Sequence, residues 1–204
     1  YAFAGVISSG PWVLSIIGIM LIGLFSLGVI SPRTAIAQFQ VTVTYLFLIS
    51  LVLTGLVQLS FTRFVADRIF AKEDDAILPN FNGLILVATG LSLVLALPFV
   101  AFMFPKETVL YRMLFVMGLA IMSAIWIATV FLTGMKHYRA IVFIFFMGYS
   151  ATLVFALFFK QWLGMEGLLL GFVLGHYLLL MGMIWLVYRN YHSDRFMAFD
   201  IWKP

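Results

Sequence analysis

The sequence contains no cysteine among its 204 residues. That excludes a disulfide framework, a thiolate metal site and a cysteine nucleophile. Charge is scarce as well: Asp, Glu, Lys and Arg make up 10% of the chain, against about 25% in an average soluble domain. Proline occurs only 6 times. Catalytic signatures are missing too. There is no paired His and acid at metal spacing, no GxSxG, no P-loop and no dinucleotide fingerprint. No cofactor, no metal and no enzymatic activity are therefore expected. What is present is apolar: 64% of residues are hydrophobic, 22 of them Phe, and the mean hydropathy is +1.13. This is the composition of an all-α integral membrane protein. The net charge of +4 is no nucleic-acid signal, because the basic residues sit in short connectors between apolar runs, where they set topology.

Six apolar runs of membrane-crossing length can be read, at about 11–30, 40–62, 81–104, 112–133, 140–159 and 167–188. They predict a single six-helix bundle over 1–204. Ser31-Pro32 breaks the chain after the first run, and Arg63–Pro79 is the longest polar connector. Pro98 is expected to kink the third run. The sequence opens at Tyr1, already apolar, with no charged leader, so the expectation is a piece of a longer chain. Orientation follows from the basic residues. Connectors after the second and fourth runs, with the tail, hold eight: Arg63, Arg68, Lys72, Lys136, Arg139, Arg189, Arg195 and Lys203. The other connectors hold four: Arg33, Lys106, Arg112 and Lys160. The richer side is expected to be cytoplasmic, with both ends of this chain inside.

The second run carries a polar line. Gln40, Thr44, Thr54, Gln58 and Thr62 fall close together at about 3.6 residues per turn, with Phe47 and Leu51 filling the middle. In lipid such a line should look toward protein or a wet cavity. Thr44, Thr54, Gln58 and Thr62 are therefore candidates to line a substrate route. No Asp or Glu lies within a run, and His176, near the middle of the sixth, is the one group of its kind at depth. It has two readings: a proton relay or ligand to substrate hydroxyls, or a neutral imidazole bonded to a Ser, Thr or Tyr of the next helix. Arg63, Asp67, Arg68 and Lys72 close the second run. They suit a lipid anchor at a helix C-terminus, or contact with a phosphate-bearing substrate or cytoplasmic partner. Gly167, Gly171 and Gly175, with Gly182 beyond, open a groove that favours close packing of another helix.

Two long blocks, YAFAGVISSGPWVLSIIGIMLIGLFS at Tyr1–Ser26 and VTVTYLFLISLVLTGLVQLSFTRFVADRIF at Val41–Phe70, resemble the PelG family. These are the membrane transporters of Pel exopolysaccharide biosynthesis, within the multidrug/oligosaccharidyl-lipid/polysaccharide exporter superfamily. The resemblance implies about twelve helices in two six-helix lobes around a central cavity, this chain being the N-terminal lobe. It also implies a bacterial inner membrane and export of a hexosamine-rich polymer. The implied partners are the missing second lobe, a cytosolic glycosyltransferase and membrane subunits of the same complex, besides lipid and the polysaccharide itself. The family is not one of enzymes, so no catalytic residue is implied. Two other readings stay open: a non-transporting subunit that anchors a synthase, and a membrane enzyme acting on a lipid-linked sugar.

Overall fold

The structure is a computed structural model that describes residues 16–18, 20, 21, 24, 33–134 and 138–202. Among them there is helix and no strand. The helices are α1 (Arg33–Ala71), α2 (Ile77–Met103), α3 (Val109–Gly134) and α4 (Tyr138–Asn190), with short 3-10 turns at Asp74–Ala76 and Asp200–Trp202. Each of the four helices is long and apolar enough to cross a membrane. The first run, 11–30, lies mostly outside the described residues; those described within it are helical.

The second run differs from its expected bounds. α1 extends past both ends of 40–62, and its apolar window is Ala35–Gly55. Its 39 residues make a rod about 58 Å long, more than the roughly 40–45 Å of a bilayer with its headgroups. The segment from Arg63, expected as connector, is thus the last two turns of a helix leaving the membrane. It stops in a Schellman-type cap, with Lys72 N–H donating to the Ile69 carbonyl (3.2 Å) and Glu73 N–H to that of Arg68 (3.0 Å). Lys72 takes the left-handed conformation there (φ 59°) that glycine usually fills.

The fifth and sixth runs form one element. At 53 residues α4 is too long for one crossing, and it breaks at Gly164, where φ 58° and ψ −125° turn the chain back. Its arms, 138–163 and 165–190, run antiparallel in close contact. A Cβ built on Gly167 would lie 2.1 Å from the Phe159 carbonyl oxygen, one on Gly171 2.2 Å from the Ala156 nitrogen, and one on Gly175 2.4 Å from the Thr152 Cα. The glycine repeat therefore lets two backbones touch, as its spacing predicts.

The hub is α3, which packs on α1, α2 and α4, whereas α1 and α2 touch each other little. Of its apolar window 72% is buried, against 33, 28 and 28% for the other three. One buried polar bond ties each of α1 and α2 to it. The indole N–H of Trp126 donates to Ser50 of α1 (2.9 Å), and the Ser92 hydroxyl of α2 bonds to that of Ser123 (2.7 Å). Ser50 and Ser92 also donate to carbonyls of their own helices, Phe47 (3.1 Å) and Ala88 (2.7 Å), so their hydroxyl hydrogens stay matched in hydrocarbon. Near the two ends of α3, aromatic clusters fill the seams: Phe99, Phe104, Tyr111 and Phe115 at one, Phe61, Phe81, Phe131 and Tyr191 at the other. Pro98 lies inside α2 without ending it.

Candidate transport route and its charged end

The polar line of α1 runs along the flank of its buried face. Thr54 is buried, Gln58 half-buried, and Thr44 and Thr62 are exposed. The line is bonded along its own helix. Gln58 Nε2 donates to Thr54 Oγ1 (2.7 Å), which donates to the Ser50 carbonyl (2.8 Å). Thr44 and Thr62 donate to the carbonyls of Gln40 and Gln58, four residues back, at 2.7 and 2.8 Å. A hydroxyl bonded in this way still keeps lone pairs to accept from a passing donor. The middle of the line is aromatic. Phe47 packs edge-on against Trp126 of α3 and against Phe172 and His176 of α4, with centroids 6.1, 6.2 and 6.3 Å apart.

The fold thereby brings His176 to the centre of the line. The imidazole is buried among Phe47, Tyr149 and Phe172, with the Phe172 ring centroid 3.9 Å away. Nδ1 lies 2.9 Å from the Phe172 carbonyl oxygen and 3.4 Å from Thr152 Oγ1, so that nitrogen carries the hydrogen. Nε2 is then an acceptor, buried and without a partner among the described residues. The sequence points to His176 but not to its enclosure. Tyr149 and Thr152 come from the opposite arm of α4, and no local pattern marks them.

At the protruding end of α1 the four charged candidates separate. Arg63 reaches Asp67 one turn on (4.0 Å), with both side chains largely exposed, so the pair adds little to stability. Arg68 pairs with Glu73 across the cap, and its guanidinium sits 5.1 Å from the Phe64 ring centroid. Lys72 faces a cavity of about 590 Å³ shared with Glu73, Asp75, His192, Asp194 and Arg195.

That cavity exists because the tail returns to α2. Asn80, fully buried, accepts from the Asp200 N–H (2.7 Å) and donates to the Ala76 carbonyl (2.8 Å). Asn82 donates to the Phe196 carbonyl (2.8 Å) and accepts from the Tyr188 hydroxyl (3.0 Å), while Ala198 N–H donates to the Pro79 carbonyl (3.0 Å). Gly83 makes room, since a Cβ there would meet the Ala198 carbonyl oxygen at 2.3 Å. None of Asn80, Asn82 and Asp200 stands out in the sequence, being more than 100 residues apart across the contact. We expect Asn80→Ala to free the tail while leaving the helices in place. Trypsin should then cut at exposed Arg195 about tenfold faster, the effect of losing roughly 1.4 kcal/mol of bonding. An unchanged cleavage rate would show that the tail is held by something else.

The family model for PelG, described as an exopolysaccharide exporter (EPS-E), matches residues 1–204. The chain belongs to the PelG family. No curated protein and no solved structure matches it. Membership in PelG and the four membrane-length helices together make it a membrane protein of exopolysaccharide export. Among the described residues no cluster of His, Cys, Asp or Glu could hold a metal ion.

Proposed function

We propose that this chain is one six-helix lobe of a bacterial inner-membrane exporter that moves a Pel-type, hexosamine-rich polysaccharide through a cavity shared with a second lobe. The observation that carries the reading is the PelG match over the whole chain. The polar flank of α1 supports it: hydroxyls and an amide are suited to a neutral, hydroxyl-rich polymer. Thr44, Thr54, Gln58, Thr62 and His176 form one wall of the route. Arg63, Asp67, Arg68 and Lys72 face the cytoplasm, where the glycosyltransferase and membrane subunits of the complex meet the transporter. The deciding experiment is complementation of a strain that lacks the exporter, scoring polymer outside the cell. Full-length protein that accumulates in the membrane and restores no polymer rejects the reading.

A non-transporting anchor for the synthase is a second reading, favoured by one observation: Phe47, Trp126 and Phe172 close the middle of the polar line. Its mark would be normal export in variants of the line combined with loss of the complex when the charged end is changed.

The orientation is tested by single-cysteine labelling, to which these 204 residues contribute no cysteine of their own. Single cysteines in place of His137 and Gln161 should react with an impermeant maleimide from opposite sides, His137→Cys from the cytoplasm. Reaction of both from the cytoplasm would overturn the assignment.

A further inference from the structure

A groove between α2 and α3 combines an apolar lining with one cation. It encloses about 370 Å³ between Leu97 and Val100 of α2 and Met113, Val116 and Met117 of α3. Apart from one residue its lining is hydrocarbon and thioether. That residue is Arg112, in the first turn of α3, where the chain enters the membrane window. Its Nε is buried and has no hydrogen-bond partner, and among the described residues Arg112 makes no ion pair. The nearby carboxylates are engaged elsewhere, Glu107 with Gln38 and Glu166 with Thr108. The positive end of the α3 dipole lies at the same place.

We propose that this groove holds an anionic phospholipid, one acyl chain lying between Leu97 and Met117 and the phosphate on the Arg112 guanidinium. Charge complementarity selects that occupant. A planar guanidinium matches two phosphate oxygens, and a phosphate at the end of a membrane window is at headgroup depth. An apolar helix of a partner protein would fill the groove equally well but would leave the Arg112 donors unmatched. Two exposed methionines, Met113 and Met117, give the wall the flexibility to follow an acyl chain. The inference stands independently of the transport reading, since it rests on the lining of this groove and on none of the route residues.

The test uses the full-length protein, with a fluorophore on Val94→Cys, exposed one turn from Leu97 and outside the groove lining, in vesicles of phosphatidylcholine and phosphatidylglycerol, one of the two brominated on its chains in each sample. Brominated phosphatidylglycerol is expected to quench the probe preferentially. Arg112→Gln should reduce that preference about tenfold, the effect of one charge-assisted contact of roughly 1.4 kcal/mol. Equal quenching by both lipids, or a preference that survives Arg112→Gln, overturns the proposal. So does absence of quenching together with disulfide-linked dimers of unlabelled Met117→Cys, which would put a second copy in the groove. Should Arg112→Gln fail to accumulate, Val116→Phe decides with the arginine intact: filling the groove should abolish the preferential quenching, and unchanged quenching overturns the site.

Discussion

Gly171→Leu is expected to abolish accumulation of folded protein. The two arms of α4 meet backbone to backbone, and a Cβ on Gly171 would lie 2.2 Å from the Ala156 nitrogen, a separation that real Cβ atoms essentially never show. The obstacle is main chain, which cannot rotate away as a flexible side chain would. The arms must separate, and the contacts of Gly167 and Gly175 on the same seam are lost with that of Gly171. Overpacking in an adaptable core costs about 1–3 kcal/mol. Here the whole hairpin is displaced, so the loss should exceed that range and consume much of a stability of about 5–15 kcal/mol. Even Gly171→Ala places an atom at the forbidden distance. Gly90 supplies the contrast, because nothing lies within 4 Å of a Cβ there. Gly90→Ala should accumulate and melt at or slightly above the parent, since alanine favours a helix interior by about 1 kcal/mol over glycine. Membrane yield and melting in detergent for the three variants decide the point. A Gly171→Leu protein that melts like the parent would refute the close seam.

That seam was legible because small residues four apart lie on one helical face whatever the neighbour is. The spans described were legible for an equally local reason, the length of uninterrupted apolar sequence. The end of α1 was legible only in part. Arg63, Asp67, Arg68 and Lys72 could be placed at a helix C-terminus, but how far the helix runs past the apolar window could not, because polarity normally marks the membrane boundary. The usual stop signal is absent too, since Lys72 occupies the left-handed cap position in place of glycine. The role of α3 was hidden for the opposite reason. A helix buried on most sides shows no polar face, so its pattern differs little from that of a helix surrounded by lipid. Its partners had to be seen in space: Ser50 gains meaning only beside Trp126, and Ser92 only beside Ser123. The tail is the extreme case, because Asn80 and Asp200 are 120 positions apart and neither belongs to a motif. Of the candidate route, residue types and their common line could be read in the sequence. The aromatic plug at Phe47 and the enclosure of His176 depend on how arms distant in sequence pack.

Gln58→Leu should leave the protein in the membrane and impair export. The amide is half-buried, and its Nε2 bonds to Thr54 Oγ1 on the same helix rather than to another element. Leucine therefore breaks no interhelical bond recorded for Gln58. Thr54 loses one donor but keeps its own bond to the Ser50 carbonyl, so no buried hydroxyl hydrogen is left unmatched. The net effect on stability should stay within about 1 kcal/mol, the usual worth of one neutral hydrogen bond, partly offset by the better helix propensity and apolar packing of leucine. Export is a different matter if this flank meets the polymer. Gln58 offers two donors and a carbonyl acceptor just beyond the apolar window Ala35–Gly55, at the level where a polymer arriving from the cytoplasm would first meet the helix on the proposed orientation. An apolar patch there removes a hydrogen-bonding surface and leaves sugar hydroxyls without partners as they pass. One such contact corresponds to about a three- to tenfold change in rate. The measurement is paired in the full-length protein: the amount in the membrane, and the polymer reaching the outside. Normal accumulation with normal export takes Gln58 out of the route. Lost accumulation makes the amide structural, against its intrahelical bonding. Normal accumulation with export reduced by that factor, together with wild-type behaviour of a leucine at exposed Val52 of the same helix, places the route along this flank of α1.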